Sequence, residues 1–469
     1  MLTGIKLRAN LTSHQKLILS QWMGCARSIW NAKVEEERYY RTYARKYCVI
    51  GTYAPIDQTT ARFKSKELTP WLSDCPSQLL RNSAANWFKT YKKFMGGKCG
   101  RPKRKPKTDK GSIYLTREVF RFDRCEDGNL RLFIGTKTNN IGYLSFKAHD
   151  KFQIPNSIYI RKERGQYTLS FCYENKVSDV GQSTNEEHLA FLQGATREYL
   201  EEHTKGIDRG VAIPVHAGDQ TYDFSEDQKK SMSKSDRYIK RLQRRLARQQ
   251  KGSNRRARTK HRIAVHHAKK ANIRNDFAHK TSHSLVNSQA KVIVFEALRT
   301  AMMTRKPKAQ QDEQGRYVSN KAKQKAGLNT SILNVGWHLI ETYTTYKAYQ
   351  AGKAVFKIPA PRTSQECAPC GHTYPDNRKL QSLFICVHCG HTDNADHNAS
   401  MVIKKRAINL ILDTGTVLSD DGVLRAQSDN ERGGNRKTSR AKSSTSSGQR
   451  SVKKEKLATK VVGLEAQPL

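Results

Sequence analysis

Four cysteines form the pattern with the clearest chemistry in this chain. Cys367 and Cys370 make one CxxC pair, and Cys386 and Cys389 make a second pair after fifteen intervening residues. Each pair is followed by a glycine, which tolerates positive φ and lets the backbone turn its N–H groups toward the sulfurs. A redox pair and unrelated structural cysteines are the alternatives, but two pairs at this spacing favour zinc. Because all four ligand positions are thiolates, we predict a structural Zn2+ in a ribbon of residues 366–391.

Three carboxylates in the C-terminal half lie at or near the ends of predicted elements. Asp208 lies in an apolar strand, Glu296 ends a second apolar strand, and Asp396 begins a predicted helix. Each has an ordinary explanation by itself; Asp396, for example, resembles a helix N-cap. Brought together, the three acids would repel one another unless divalent metal neutralised them, and hard oxygen ligands select Mg2+ or Mn2+. Two such ions about 4 Å apart activate a water and stabilise the leaving oxygen of a phosphodiester. The acids therefore predict a catalytic Mg2+ site for strand cleavage.

The charge balance predicts a polyanionic partner. The chain has 469 residues, and 85 Lys and Arg against 42 Asp and Glu give a formal charge of +43. Nucleic acid is the usual partner of such an excess, and an anionic membrane is the alternative. The first ten residues do not resemble a signal peptide, and no apolar run is long enough to span a bilayer. The other six cysteines follow no framework pattern, which favours a reducing prokaryotic cytosol; they are Cys25, Cys48, Cys75, Cys99, Cys125 and Cys172.

Basic side chains concentrate in three segments. A predicted helical hairpin over residues 229–283 carries 19 Lys and Arg against 2 Asp and Glu between Lys229 and Lys280, more than helical ion pairing could neutralise. A basic linker at residues 98–110 is too polar to pack and is expected to follow phosphates. A helix from Ser77 has a basic face, although a plain helical bundle is its alternative. The predicted nucleic-acid contacts are Arg81, Arg101, Lys103, Arg104, Lys105, Thr116, Arg117, Arg241, Arg244, Arg245 and Arg248.

Hydrophobic periodicity predicts an α/β multidomain chain that positions these groups. A strand at residues 2–9 precedes a helix from Thr12 or Ser13 to about Tyr47, whose apolar stripe includes Leu17. A second helix covers residues 77–94, and six strands follow between residues 112 and 174 as a small β-barrel or sandwich. The later segments are predicted as a linker with one short helix (177–204), a mobile loop (299–327), a helix (about 332–351), a strand (354–358) and a disordered basic tail (413–469).

Several motifs together resemble the TnpB family of transposon-encoded, RNA-guided DNA nucleases, relatives of compact type V CRISPR effectors. The motifs are GIDRGV around Asp208, FEAL around Glu296, and the CxxCG repeat followed by ADHNAS around Asp396. Gln15 and the segment from Cys25 to Asn31 are similar too. The resemblance covers about residues 1–412. It implies that Asp208, Glu296 and Asp396 form the catalytic triad of an RNase H-like (RuvC) domain. Arg209 departs from the family pattern, since many relatives have an apolar residue there.

The resemblance also implies a domain order and partners. A wedge (WED) β-barrel consists of residues 1–11 and 105–176, with a helical recognition (REC) domain inserted at 12–104. The RuvC-like domain covers 205–365 and 392–412, interrupted by the zinc ribbon, which binds target nucleic acid. The expected partners are a guide RNA from the transposon end and double-stranded target DNA with a short adjacent motif, bound by a monomer on one RNA. A non-cleaving RNA-guided regulator and a DNA transposase are the alternative functions; the intact triad disfavours the first, and the hairpin and ribbon disfavour the second.

Overall fold

The computed structural model describes residues 2–44, 59–108, 110–124, 130–148, 152–174 and 183–426. Its helices, in chain order, are α1 (Ser13–Tyr39), α2 (Ser77–Met95), α3 (Asn185–Gln193), α4 (Arg197–His203), α5 (Glu226–Ala247), α6 (Asn254–Val286), α7 (Thr300–Met303), α8 (Ala322–Val335), α9 (Trp337–Gln350) and α10 (Ala395–Leu412). Its strands are β1 (Leu2–Asn10), β2 (Gly111–Thr116), β3 (Phe120–Arg124), β4 (Leu130–Gly135), β5 (Asn140–Lys147), β6 (Ser157–Glu163), β7 (Gln166–Glu174), β8 (Thr204–Ile207), β9 (Val215–Ala217), β10 (Gln220–Tyr222), β11 (Val292–Glu296), β12 (Gln310–Gln311), β13 (Tyr317–Val318), β14 (Ala354–Ile358), β15 (Leu383–Ile385), β16 (Thr392–Asn394), β17 (Thr416–Leu418) and β18 (Leu424–Ala426).

The chain forms two compact units, each assembled from separate segments. The first consists of Met1–Gln182, Phe224–Ser282 and Asn334–Tyr343. The second consists of Ser183–Asp223, His283–Leu333 and Thr344–Leu469. The three acids and the four cysteines all belong to the second unit, and the basic hairpin belongs mostly to the first.

A seven-stranded antiparallel sheet organises the first unit, in the order β2-β6-β7-β1-β5-β4-β3. The N-terminal strand lies in its middle, because β1 pairs with β7 from Leu2↔Glu174 to Ala9↔Tyr167 and with β5 on its other side. Its alternate residues Ile5, Leu7 and Ala9 are buried, as a strand with one face on the core requires. Within the described residues β2 and β3 end the order, so closure into a barrel stays a prediction.

Helices α1 and α2 pack into the core of this same sheet. Trp22 and Leu79 share one hydrophobic cluster with Ile160 of β6. Thr12 begins α1 with a capping box to Gln15, which satisfies two end N–H groups. The helix ends at Tyr39 and a π-helical turn covers Tyr40–Ala44, so α1 is shorter than predicted; residues 45–47 lie outside the described residues. Leu17 is 58% exposed, so its assignment to the apolar stripe was wrong.

The basic linker is docked onto α1. Trp30 donates its indole N–H to the carbonyl of Lys103 at 3.0 Å, and the Asn31 amide bonds both backbone groups of Lys105 at 2.8 and 3.1 Å. The Lys105 ammonium lies 3.5 Å from the centre of the Trp30 ring, and burial lowers its pKa. Arg101 pairs with the buried Glu37. The prediction that this linker is too polar to pack was therefore wrong for residues 101–105.

The basic hairpin is built by α5 and α6, and it extends beyond the predicted residues 229–283. Ser225 caps α5 with a capping box, and Gly252 turns the chain at φ +88°. Ile239 and Leu242 of α5 are buried. The nearly buried Lys270 bonds Asp236 across the hairpin at 2.6 Å. The two acids between Lys229 and Lys280 cannot neutralise the 19 Lys and Arg of the same stretch, most of which are exposed.

A three-stranded parallel sheet, β14-β11-β8, organises the second unit. All five residues of β11 are buried, as expected for a strand covered on both faces. Helix α10 packs on β8 at Gly206, where a Cβ would lie 2.2 Å from the carbonyl oxygen of Ser400. Ile403 and Ile408 of α10 join Val294 and Phe356 in one core. Glycine at 206 thus sets how closely the helix that bears Asp396 approaches the strand that precedes Asp208.

Three segments of the second unit differ from their predicted structures. Residues 183–204, predicted as a linker with one short helix, form α3 and α4, whose Leu189, Leu192 and Leu200 enter the core. Residues 413–426, predicted as disordered tail, form the hairpin β17–β18 with Leu424 fully buried; residues 427–469 lie outside the described residues. The helix predicted from about 332 begins at Ala322, within the predicted loop, and is interrupted at Gly336, which has φ +82°.

Candidate metal centres and nucleic-acid interface

The fold brings the three predicted acids to one edge of the parallel sheet. Asp208 directly follows β8, and its backbone bonds His216 in both directions at 2.9 Å. Glu296 is the last residue of the neighbouring strand β11. Asp396 is the second residue of α10, where Asn394 serves as the N-cap. The cap interpretation of Asp396 was therefore wrong, because its neighbour caps the helix and leaves the Asp396 side chain available for another role.

Electrostatics indicate that these carboxylates face one another. The pKa of Asp208 is raised to about 7, chiefly by burial and also by the charges of Glu296 and Asp396, against the backbone N–H of Arg209 and the charge of Arg378. Burial also raises the pKa of Glu296, which is 6% exposed; a hydrogen bond from the Thr363 hydroxyl and the charges of Arg209, Arg406 and Arg378 oppose it. Buried acids with raised pKa values beside other carboxylates are typical of a site prepared for a cation.

The acid centre fits Mg2+ in ligand chemistry, because its donors are hard carboxylate oxygens at a strand end, a second strand end and a helix start. The carboxylate oxygens of the acid centre are farther apart than the ligand atoms of a closed metal site. In the part of the chain that the structure describes, only the four cysteines place their ligand atoms within 4.8 Å of one another. A larger separation suits ions that keep water and bind substrate phosphate as additional ligands.

Arg378 is a residue of this centre that the sequence analysis missed. It ends the 3-10 turn Pro375–Arg378 between the two CxxC pairs, and its Nη2 donates to Asp396 Oδ1 at 3.0 Å and to the carbonyl of Gln381 at 2.9 Å. Its side chain is 22% exposed. A lone arginine in a polar loop gives no periodic signal, so only the folded ribbon could show that it reaches an acid.

The four cysteines form the second centre. Cys367 and Cys389 have Sγ atoms 3.6 Å apart, as do Cys370 and Cys386, and all four sulfurs lie within 4.8 Å of one another. A tetrahedral site with Zn–S bonds of about 2.3 Å has sulfurs about 3.8 Å apart, so the geometry fits zinc. Gly371 and Gly390 have φ of +76° and +73° and close equivalent turns onto the carbonyls of the first cysteine in each pair. The predicted four-cysteine ribbon cluster is confirmed.

The first cysteine turn is fastened to α10, the helix that carries Asp396. Asn398, which is fully buried, donates to the carbonyl of Glu366 at 2.7 Å and accepts from the N–H of Ala368 at 3.0 Å. Lys405 donates to the carbonyls of Ala368 and Pro369, both at 2.8 Å. The position of the cysteine turn and the position of Asp396 are therefore set by one helix.

The predicted hairpin contacts lie together on one surface. Arg241, Arg244, Arg245 and Arg248 line a concavity of about 460 Å³ with Gln249 and Arg255. The guanidinium of Arg241 lies 4.8 Å from the centre of the Tyr238 ring. Clustered arginines suit phosphate oxygens, to which guanidinium can donate two parallel hydrogen bonds.

The other predicted contacts are more dispersed. Arg81 forms an exposed ion pair with Glu118 at 3.8 Å, and Arg117 donates to the carbonyls of Ile154 and Pro155 at 3.3 and 3.4 Å. Thr116 ends β2, next to Arg117. Arg104 forms an ion pair with Glu35 at 3.3 Å, and the Arg104 side chain is 65% exposed. The ammonium of Lys105, in contrast, packs against the Trp30 ring. As nucleic-acid contacts, all of these residues remain predictions.

Fold and site together define an α/β multidomain protein with a carboxylate centre, a four-cysteine centre and a strongly basic surface. In the part of the chain that the structure describes, no helix is long and apolar enough to cross a membrane. Three family models match: a helix-turn-helix domain of the OrfB group of IS605 elements at residues 1–43, a "Probable transposase" of the same group at 170–306, and the TNB domain of Cas12f1-like proteins at 337–403.

Among curated proteins, the chain is 27% identical over 400 residues to "Putative RNA-guided DNA endonuclease InsQ" of Escherichia coli (strain K12), covering 85% of this chain and 90% of that protein. It is 36% identical over 91 residues to "CRISPR-associated endodeoxyribonuclease Cas12f1" of Sulfoacidibacillus thermotolerans, covering 18% of this chain and 22% of that protein. Among solved structures, a Cas12f1-sgRNA-target DNA complex aligns at 12% identity and TM-score 0.47, covering 86% of this chain and 98% of that one. The family models and the curated relatives confirm the resemblance to the TnpB family that the motifs indicated.

Proposed function

We propose that the chain is an RNA-guided, Mg2+-dependent DNA endonuclease encoded by a transposon. In this proposal a guide RNA selects the target, a short adjacent motif licenses entry, and one RuvC-like site cuts both DNA strands in turn. The observation that carries the proposal is the meeting of Asp208, Glu296 and Asp396 at one sheet edge, in a chain of charge +43. The description of the relative from Escherichia coli supports the same activity.

Each group at the acid centre has a role that its contacts favour. The three carboxylates would hold the metal, and Thr363 would orient the Glu296 carboxylate through its hydroxyl. Bound Mg2+ supplies a polarised water and neutralises charge on the phosphodiester. Arg378 places a guanidinium beside Asp396, where it can stabilise negative charge that develops on phosphate oxygens. Guide and target binding are assigned to the basic surfaces, since base pairing carries sequence recognition in such systems.

The test is to purify the full chain with its co-purifying RNA, sequence that RNA, and assay a matched DNA duplex. We expect wild-type protein to cut in the presence of Mg2+. Asp208→Ala should retain guided binding and lose cleavage, because charge and base pairing carry binding, whereas the metal would lose one of the three carboxylates that would hold it. Asp420→Ala, an exposed acid of the same unit, is the control and should cut normally. Cleavage near the wild-type rate in Asp208→Ala, Glu296→Ala and Asp396→Ala alike would return all three acids to structural roles.

A DNA transposase is the second candidate, favoured by the description of the model that matches residues 170–306. The same preparation separates the two functions. A guided nuclease requires the co-purifying RNA and cuts a target matched to it. A transposase joins a DNA end to a target in the absence of RNA. Strand transfer by RNA-free protein would therefore replace the first proposal with the second.

A further inference from the structure

Arg209 lies between two of the acids, at the point where their strands stop pairing. The ladder between β8 and β11 ends at Ile207↔Phe295, so Asp208 and Glu296 are the first residues beyond it. Arg209 bridges this gap: its Nη2 donates to the backbone carbonyl of Glu296. The guanidinium carbon lies 5.3 Å from the centre of the Phe295 ring. A side chain therefore provides the cross-strand hydrogen bond at the position where the ladder has ended.

This guanidinium is an expensive group to bury. Arg209 is only 6% exposed, and a buried charge is costly unless it is paired and hydrogen-bonded. The neighbouring carboxylates of Asp208 and Glu296 offset that cost. The backbone N–H of Arg209 favours the charged form of Asp208, and its side-chain charge favours that of Glu296. Arg209 thus favours the charged forms of two carboxylates. It is buried, and it contacts Glu296 at the backbone carbonyl.

We propose that Arg209 is a positioning residue, which fixes the backbone of Glu296 and so holds the Glu296 carboxylate in register with Asp208 for a shared divalent ion. The inference rests on the proposed function only in that the acids bind an ion. It predicts whether replacing Arg209 strengthens or weakens cation binding. If Arg209 acted by charge alone, its removal would strengthen cation binding, because a like charge would have gone. If it positions Glu296, its removal weakens cation binding.

The experiment measures Mn2+ binding to RNA-free, full-length protein by calorimetry, with the cleavage assay run in parallel. The variants are Arg209→Met, which removes donor and charge at similar length, and Arg209→Lys, which keeps both. We expect the Mn2+ dissociation constant to rise about 10- to 100-fold in Arg209→Met, the usual effect of removing an outer-shell partner of a metal ligand. Arg209→Lys should recover part of that loss.

The matched control is Arg197→Met. Arg197 is an exposed arginine of the same unit that bonds Asn409 at 3.2 Å and no acid of the centre. It should bind Mn2+ like the wild type. If circular dichroism shows that Arg209→Met does not fold, Arg209→Leu, which also lacks both donor and charge, gives the same test of sign. Mn2+ binding as tight as the wild type, or tighter, in the folded neutral variant would overturn the proposal.

The outcome for Arg209 is separable from the outcome for the proposed function. If wild-type protein binds Mn2+ with the expected dependence on residue 209 but cuts no guided target, the nuclease proposal fails and the positioning role stands. If wild-type protein cuts and the neutral Arg209 variants bind Mn2+ and cut as the wild type does, the positioning role fails and the nuclease proposal stands.

Discussion

Replacing Asp208 by Asn should stabilise the metal-free protein at neutral and alkaline pH. The pKa of Asp208 is raised from 3.8 to about 7, so the folded state holds this proton more tightly than the unfolded state. The Asp208 carboxylate therefore leaves the free energy of unfolding unchanged below about pH 4, lowers it progressively as pH rises toward 7, and lowers it by a constant amount above pH 7. The difference between 3.8 and about 7 corresponds to about 4 kcal/mol at most. Because neighbouring acids titrate together and the group is only partly buried, we expect about half of that.

The assay is thermal unfolding of RNA-free protein in EDTA at pH 5, 6, 7 and 8. For a unit of roughly 200 residues, 1 kcal/mol shifts Tm by about 2–4 °C, so Asp208→Asn should melt several degrees above wild type at pH 8. The difference should shrink steadily toward pH 5. Mg2+ should raise the Tm of wild type and reverse the order of the two proteins, since binding to the folded state alone adds stability. Asp420→Asn should match wild type throughout. Equal Tm values for wild type and Asp208→Asn at pH 8 in EDTA would refute the electrostatic account of the acid centre.

The remaining predictions concern the other groups. Metal analysis should find about one zinc per chain, and Cys386→Ser should lower both zinc content and Tm, because the ribbon has a small apolar core of its own; a zinc-free wild type of full stability would contradict this. Asn398→Ala leaves buried backbone groups unpaired and should destabilise by about 1–3 kcal/mol with loss of zinc, whereas Asn409→Ala should not. Changing the four concavity arginines Arg241, Arg244, Arg245 and Arg248 to Gln should flatten the slope of log affinity against log salt by about 0.9 for each phosphate that the hairpin no longer neutralises; an unchanged slope would exclude this surface. Arg81→Ala or Arg117→Ala should cost about 1–3 kcal/mol of discrimination at the adjacent motif, and an unchanged preference in both would show that other residues read it.

The parts of the site that the sequence predicted are those fixed by local pattern. The cysteine spacing is local, and the knuckle geometry follows from it. Asp208 and Glu296 could be predicted because a carboxylate at the end of an apolar run is costly wherever the run folds. Arg378 could not be predicted, because its contact with Asp396 depends on how the ribbon returns toward α10.

The errors in the fold arose where composition concealed a few decisive apolar residues. The glutamates of residues 183–204 obscured Leu189, Leu192 and Leu200, which anchor α3 and α4 in the core. The polar sequence after α10 obscured Leu424, whose burial holds the hairpin β17–β18. The charge of the basic linker predicted contact with solvent or phosphate. Instead, the Trp30 N–H donates to the linker backbone, and the Trp30 ring contacts the Lys105 ammonium. Tertiary packing of single side chains decided each case.

The fastening of the first cysteine turn to α10 joins the cysteine centre and the acid centre through one helix. Asn398 and Lys405 bond the turn to the helix that presents Asp396. If zinc changes the affinity of the acid centre for its own ion through this helix, that ion must change the affinity of the cysteines for zinc by the same factor, because coupling between two binding sites is reciprocal. A chelator selective for zinc should therefore shift a Mg2+ titration to higher concentration, and saturating Mg2+ should slow the loss of zinc. The soft thiolate site would then act as an effector of the hard carboxylate site.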